Sequence, residues 1–303
     1  MSGVALGVVM LTGAALLAGC GTDEPALARG DRLWADSEYT AALAEYRLAL
    51  RQHEDEKTLA RVAHAYIVTG AFERAREHYD RLLAQAPEYT DQAVFDYVTA
   101  ARRARDRTNR YGMAVAVEAA LALRPGLPVD EMAAPLARYY ASTGDADRAL
   151  NFFEHALSHA PADSAAALLY EIGELHVGRG NCVEGVGFFN AYRQRAPDGE
   201  HSAQARWHVG NCAFQMGRQA RQRNELDEAV RQLDIILDLG VPQNLLDQAW
   251  FERGEALLAQ DRREEALRSF LQVLEVNRAR SGQLVERAQQ RIDQIRFGRT
   301  FVP

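Results

Sequence analysis

One spacing of small, aromatic and proline residues recurs along most of the chain and limits the folds open to it. In three segments a small residue is followed, 7, 12, 16, 19 and 24 residues later, by glycine, a second small residue, an aromatic ring, a further core residue and proline. The residues are Ala63, Gly70, Ala75, Tyr79, Leu82 and Pro87; Ala137, Gly144, Ala149, Phe153, Ala156 and Pro161; and Gly173, Gly180, Gly185, Phe189, Tyr192 and Pro197. A fourth segment shares most of the spacing, through Gly30, Ala42, Tyr46 and Ala49. Small residues let two antiparallel helices approach closely, while glycine and proline mark turns, so the pattern predicts a repeated helix-turn-helix unit.

Three weaker copies complete the array. They contain Ala101, Met113, Ala120 and Pro125; Gly210, Ala229, Leu233 and Ile236; and Gly254, Ala266, Phe270 and Val273. In the Gly210 copy the two small residues lie 19 apart, where the other copies have 12. We therefore expect about seven inserted residues around Gly217–Asn224, as a longer first helix or a protruding loop. Residues 284–296 have apolar positions at helical spacing and suit a terminal capping helix.

This pattern resembles the tetratricopeptide repeat, a helix-turn-helix of about 34 residues. The resemblance implies an all-α superhelical solenoid of about seven repeats plus a C-terminal capping helix. It would occupy residues 26–298 and leave 299–303 as a tail. A bundle of unrelated helices is the alternative, and matched offsets in four units disfavour it.

The N-terminus carries an apolar run, residues 4–18, that is shorter than the roughly 20 residues a membrane span needs and fits a removed signal segment. The following Leu17-Ala18-Gly19-Cys20 resembles the bacterial lipobox. The resemblance implies a signal peptide over 1–19, acylation (palmitate included) at Cys20, and a short tether over 20–25. Because Gly21 follows the cysteine, it also implies the outer membrane, facing the periplasm. Met1 to Gly7 lack the usual Lys or Arg, so an ordinary secretion signal or a short anchor helix is the alternative.

Cys182 and Cys212 both occur in the triplet Gly-Asn-Cys. In the repeat register, Cys182 begins the second helix of one unit and Cys212 lies late in the first helix of the next. Those helices would be antiparallel neighbours, so a disulfide is geometrically plausible in an exported protein. The alternative is two small, buried, apolar side chains.

No motif for nucleotide binding, zinc proteolysis or hydrolysis by a serine nucleophile occurs, and we expect neither an enzyme nor a cofactor. The net charge of -7 does not favour nucleic acid as a partner. His155 and His159 stand four apart and could face one metal ion, but no further ligand is apparent. Their place in the last turn of a helix suits histidine without a metal, and we expect none.

In tetratricopeptide arrays the first helix of each unit lines a concave face, and the resemblance places partner contacts at positions 2, 5, 9, 12 and 13, with the first small residue at position 8. In this chain those positions carry Trp34, Arg102, Arg138, Tyr170, Glu174, Trp207, Asn211, Phe214, Phe251 and Glu255. Aromatic and arginine side chains often dominate binding energy, so the groove suits a protein or peptide ligand. The alternative for each ring is packing between neighbouring helices.

Together these features predict a membrane-anchored periplasmic scaffold for protein–protein interactions in cell-envelope assembly or export. The segments Pro197–Gly210 and Leu246–Gly254 look similar to repeats of barrel-assembly and Tol-Pal-associated proteins. Two alternatives stay open: a regulator of a peptidoglycan enzyme, and a lipoprotein that captures nutrients.

Overall fold

The computed structural model describes residues 24–277 and 281–298, and this part of the chain holds fifteen α-helices and no β-strand. None of these helices combines the length and apolar character needed to cross a membrane. The predicted signal peptide and Cys20 lie outside the described residues.

The helices follow one another in pairs, separated by short turns. The first six are α1 (Ala26–Ala35), α2 (Tyr39–Gln52), α3 (Glu56–Val68), α4 (Phe72–Gln85), α5 (Thr90–Asp106) and α6 (Arg110–Leu123). The others are α7 (Asp130–Ser142), α8 (Ala146–His159), α9 (Ala162–Gly178), α10 (Cys182–Arg195), α11 (Ser202–Gln222), α12 (Leu226–Leu239), α13 (Leu246–Ala259), α14 (Arg263–Val276) and α15 (Gln283–Phe297).

The described residues form two compact units. Unit 1 contains the residues up to Ala104 together with Val115–Leu127, and its helices include the hairpins α1/α2 and α3/α4. Unit 2 contains Arg105–Ala114 and the residues from Pro128 onward, with the hairpins α7/α8, α9/α10, α11/α12 and α13/α14.

A residue in the left-handed backbone region ends the first helix of every pair, seven residues after the first small residue. Its φ lies between 56° and 83° throughout, at Ser37, Gly70, Thr108, Gly144, Gly180, Asn224 and Asp261. In six pairs the next N–H donates to the carbonyl five residues back at 2.9 Å, as from Ala71 to Tyr66. This bond satisfies a terminal helix carbonyl and turns the chain toward the second helix.

Close approach of the two helices depends on the small residue at position 8. A Cβ added to Gly173 of α9 would lie 3.0 Å from the ring of Phe189 in α10, and Phe189 is fully buried. The same relation, sixteen residues apart, joins Gly254 to Phe270 and Gly30 to Tyr46. The repeat spacing therefore encodes the helix crossing itself.

The sixth pair corrects the predicted register. Gly217 occupies position 8, because its Cβ would lie 2.7 Å from Leu233, sixteen residues on, and Asn224 forms the turn seven residues on. The extra residues therefore precede position 8, and they make α11 a single helix of 21 residues. The expected longer first helix is confirmed, whereas its placement around Gly217–Asn224 is wrong. Gly210 instead allows the Val241 carbonyl to approach, where a Cβ would lie 1.9 Å away.

The last helix, α15, packs against α14 and buries Ala288 and Ile292. Its Arg291 holds Glu255 of α13 through two hydrogen bonds of 2.7 and 3.0 Å. The predicted capping helix is thus present at the end of the described array.

Candidate protein-interaction sites

Unit 1 contains an open depression of about 270 Å³ on the first helices of its pairs. Its lining joins three aromatic rings to charged and polar groups: Asp31, Trp34, Tyr46, Lys57, Ala60, Arg61, His64, Tyr89 and Gln92. Asp31 and Trp34 come from α1 and occupy positions 9 and 12 of the first repeat. Lys57, Ala60 and His64 come from α3, where they occupy positions 2, 5 and 9 of the second. We call this depression the Trp34 pocket.

The charges on one wall of the Trp34 pocket are paired. Arg61 donates to the two carboxylate oxygens of Asp31 at 2.5 and 3.1 Å, and the Tyr46 hydroxyl donates to Asp31 at 2.9 Å. The hydrogen bond from Arg61 holds the pKa of Asp31 below its usual value. Burial, and then the neighbouring Asp31 carboxylate, raises the pKa of Tyr46. These groups fix the wall and leave little net charge on it.

Lys57 gives the pocket its available charge. It is the only lysine in the chain, and no carboxylate of the described residues lies within salt-bridge distance of it, although its charge helps to lower the pKa of Asp31. Its ammonium group carries three hydrogen-bond donors on a flexible stem, so it can meet a carboxylate on an incoming molecule.

The Trp34 ring forms the apolar side of the pocket and is half-buried. Its centroid lies 5.0 Å from that of His64 and 4.8 Å from that of Tyr39. His64 in turn shares a hydrogen bond of 2.6 Å with the buried carboxylate of Asp96 in α5. Asp96 also accepts from the Tyr79 hydroxyl of α4, so one buried carboxylate ties three helices behind the pocket.

Three first helices of unit 2 carry large rings at position 5, where α3 of unit 1 has Ala60 and α7 of unit 2 has Ala134. Tyr170, Phe214 and Phe251, all predicted to contact a partner, are buried. Tyr170 packs on Phe189 and Phe251 on Phe270, each with centroids 5.5 Å apart. Position 5 lies one turn before the close crossing, so a large ring there meets the second helix of its own hairpin. Their burial favours the alternative for these three rings, packing between neighbouring helices, and their role as groove contacts stays a prediction.

Trp207 is the predicted aromatic that stays open in unit 2, with 45% of its surface exposed. It lies on the N-terminal extension of α11, and its ring stands edge-on to His208 at 5.2 Å. His208 stacks on Phe189 at 4.7 Å, and burial lowers its pKa. Trp207 is thus an exposed ring whose neighbour, His208, is packed against the buried ring of Phe189.

Two of the predicted polar groove residues pair with neighbouring helices, and a third bonds within its own helix. Arg138 of α7 binds Glu171 of α9 through two hydrogen bonds of 2.8 Å, and Glu255 pairs with Arg291 as described. Glu174 accepts from the Tyr170 hydroxyl at 3.0 Å, and burial, followed by this carboxylate, raises the pKa of Tyr170 to about 12.

The two remaining polar residues of the predicted set differ in exposure. Asn211 is half-buried on α11, and Arg102 lies exposed on α5.

A second depression, of about 190 Å³, lies within unit 2. It is lined by Arg105, Thr108, Arg110, Met113, Pro135 and Arg138. Arg105 donates to Glu131 at 2.8 Å, and Arg138 is held by Glu171, so both guanidinium groups already have carboxylate partners. The third guanidinium group of the lining, that of Arg110, has no carboxylate partner among the described residues, so this depression also carries one available positive charge.

A disulfide joins Cys182 at the start of α10 to Cys212 of α11, with the Cα atoms 5.3 Å apart. The bridge ties the second helix of one hairpin to the first helix of the next, in the antiparallel arrangement that the repeat register predicts.

A repeated pair of antiparallel helices, joined by a left-handed turn, defines a class of helical-repeat proteins. Residues 214–283, from the middle of α11 past the end of α14, match the tetratricopeptide repeat family. The predicted fold class is confirmed: the described chain is an all-α array of tetratricopeptide-type hairpins with a terminal helix.

Solved structures with a similar fold include MamA, at 20% identity over 55% of this chain and 94% of that chain, with a TM-score of 0.33. YrrB, described as a tetratricopeptide protein with an unusual peptide-binding site, is 18% identical over 68% and 97%, with a TM-score of 0.33. The C-terminal part of a repeat-containing protein from Cytophaga hutchinsonii is 12% identical over 86% and 98%, with a TM-score of 0.38. No curated protein sequence matches this chain.

Proposed function

We propose that the protein is a membrane-anchored scaffold that binds other proteins in cell-envelope assembly or export and carries out no catalysis. The observation that carries the binding proposal is the Trp34 pocket, where an aromatic wall meets a lysine that forms no salt bridge with a described carboxylate. The anchor proposal rests on the lipobox-like sequence ending at Cys20.

The pocket chemistry favours one kind of ligand segment. Trp34 offers apolar area, and Lys57 on the neighbouring first helix offers a positive charge. A segment of a partner that places an acidic side chain beside an apolar or aromatic one would meet both groups at once. Such a segment could be extended or helical, because the pocket is open to solvent.

The partner can be found through the single lysine. An amine-reactive crosslinker applied to intact envelopes should join Lys57 to a protein partner, which affinity isolation and mass spectrometry then identify. Barrel-assembly or secretin subunits would support the scaffold proposal. A peptidoglycan synthase would replace it with the regulator alternative, and a transporter with nutrient capture.

Lys57→Arg is the matched control for this experiment. It keeps the positive charge and removes the reactive amine, so crosslinking through the pocket should disappear while the fold and the charge remain. A crosslinked product that persists in Lys57→Arg arises from another amine and would count against the pocket.

The anchor has an independent test. Acyl chains stabilise membrane binding by about 0.8 kcal/mol for each buried methylene, so Cys20→Ser should move the folded protein into the soluble fraction. Cys182→Ser, the same change at a cysteine outside the lipobox, should leave it at the membrane. Membrane retention of Cys20→Ser would contradict the anchor.

A further inference from the structure

Two histidines and an aspartate meet at one end of the α7/α8 hairpin. Asp130 is the first residue of α7, and His155 and His159 lie in the last two turns of α8. Because the helices of a hairpin are antiparallel, the start of α7 lies beside the end of α8. This arrangement supplies the third ligand that the sequence did not reveal.

The distances bring the donor atoms around one point. His155 Nε2 lies 2.7 Å from Asp130 Oδ1, and His159 Nδ1 lies 3.9 Å from the same oxygen. One donor atom from each of the three residues falls within 4.8 Å of the other two. The two imidazole rings, one helical turn apart, have centroids separated by 4.6 Å.

Two neutral imidazoles and a carboxylate form a ligand set that Zn²⁺ and related ions accept, with a further position left for water. Asp130 and His159 are exposed and His155 is half-buried, so an ion can reach the donors from solvent without unfolding. His159 Nδ1 also lies 3.0 Å from the His155 carbonyl and 2.9 Å from Ser158 Oγ. Metal binding replaces the contacts of His159 Nδ1 and also the hydrogen bond between His155 Nε2 and Asp130 Oδ1, all of them at exposed or half-buried groups.

We propose that Asp130, His155 and His159 form a binding site for a divalent transition-metal ion of the Zn²⁺ class, which clasps the open end of the α7/α8 hairpin. The ion would join the two helix ends opposite the Gly144 turn. It would add a crosslink in unit 2 besides the disulfide, independent of partner binding at the Trp34 pocket.

The test uses the purified, disulfide-intact protein without a histidine tag. Titration calorimetry with ZnCl₂ at neutral pH should show one Zn²⁺ per chain, and MgCl₂ should give no binding, since Mg²⁺ prefers oxygen ligands. Separate His155→Ala, His159→Ala and Asp130→Asn variants should each bind Zn²⁺ at least about tenfold more weakly. Saturating Zn²⁺ should raise the melting temperature of the unsubstituted protein. It should leave the melting temperature of the His155→Ala/His159→Ala double variant unchanged.

His53→Ala is the matched control, because His53 is also exposed and lies 3.8 Å from an aspartate, Asp55, with no third ligand among the described residues. It should leave Zn²⁺ binding unchanged. Circular dichroism confirms that each variant is folded before titration. Absence of Zn²⁺ binding, or equal binding by His155→Ala and His53→Ala, would overturn the proposal.

Discussion

The first helices of the two units use the same repeat positions in opposite ways. In unit 1, position 5 of the second repeat is Ala60, and the space beside it is the Trp34 pocket. In unit 2, position 5 carries Tyr170, Phe214 and Phe251 in three of the four first helices, with Ala134 in the fourth, α7, and the three rings are buried in the packing of the helices. A ring at position 12, two turns later, extends past its own hairpin crossing and stays half-buried, as Trp34 does.

The contrast shows that these aromatic residues differ in burial according to their position along the first helix. Position 5 is opposite the large residue that follows position 8 by sixteen, so a ring there adds to the core. Beside Ala60, which is small, the ring of Trp34 at position 12 of the preceding repeat is left with an open side. The Trp34 pocket of unit 1 is therefore a better candidate for partner binding than the three buried rings of unit 2.

The largest effect should separate a core ring from a pocket ring. Phe251→Ala removes a buried side chain and should lower the free energy of unfolding by about 3–5 kcal/mol. Trp34→Ala removes a half-exposed ring and should cost about 1–2 kcal/mol. Chemical denaturation of both variants measures the difference. Equal losses would mean that Trp34 is as much a core residue as Phe251, and the comparison would fail.

The disulfide gives unit 2 a constraint that involves α10 and α11. Closing a loop of 30 residues restricts the unfolded chain, so replacing Cys182 and Cys212 together by serine should cost about 3–4 kcal/mol. Denaturation with and without reductant checks this value, and the double variant should show no response to reductant. Two thiols that react freely with a labelling reagent in the non-reduced, folded protein would show that the bond is not formed.

The helix crossing should behave alike in both units. Ala75 of unit 1 and Ala149 of unit 2 are fully buried at the second small position of their repeats. Leucine at either site forces extra methylenes into a tight crossing and should destabilise by about 1–3 kcal/mol. An unchanged melting temperature for either variant would contradict the register on which the comparison of positions depends.

A smaller effect is expected at the turns. Thr108 adopts a left-handed conformation with φ of 56°, which a β-branched residue rarely accepts, while Gly70 adopts φ of 81°. Thr108→Gly should therefore stabilise the protein by up to about 1 kcal/mol, and Gly70→Ala should destabilise it by about 1 kcal/mol. Thermal melts compare the two, and shifts of the same sign would contradict the assigned turn conformations.

The smallest effect concerns the paired wall of the pocket. Because the folded-state pKa of Asp31 is lowered, its pairing with Arg61 stabilises the fold above the ordinary pKa of 3.8 and is lost as the pH falls through the lowered value. Asp31→Asn should thus cost at most about 1 kcal/mol at neutral pH, since the pair is partly exposed. The difference from the unsubstituted protein should vanish in acid. A difference that persists unchanged in acid would assign the effect to something other than the ion pair.

The sequence predicts the fold well because each repeat encodes its own crossing and turn. The residues at offsets 7, 12 and 16 make local contacts, so four well-matched copies were enough to predict the paired helices and the final cap. The sixth repeat failed in register because Gly210 is small for a different reason, the approach of the Val241 carbonyl. That contact depends on the loop at Val241, about thirty residues later in the chain, so the repeat spacing cannot predict it.

The candidate sites were harder to predict, because burial depends on what lies opposite a side chain. Lys57, Ala60 and His64 occupy the groove positions 2, 5 and 9 of the second repeat. They are neither arginine nor large aromatic residues, so residue type alone does not mark them as binding residues. Asp96 lies within an apolar stretch of α5 and only the folded chain shows its partners, Tyr79 and His64. Asp130 joins His155 and His159 from 25 residues away through the hairpin.

The most direct measurement compares the two exposed or half-exposed tryptophans on the first helices. Trp34→Ala and Trp207→Ala are prepared in the same background, and the partner isolated through Lys57 is quantified on each purified variant by a direct binding assay. We predict that Trp34→Ala weakens binding at least tenfold, while Trp207→Ala leaves it within about twofold. Full binding by Trp34→Ala together with loss in Trp207→Ala would contradict the assignment of partner binding to unit 1.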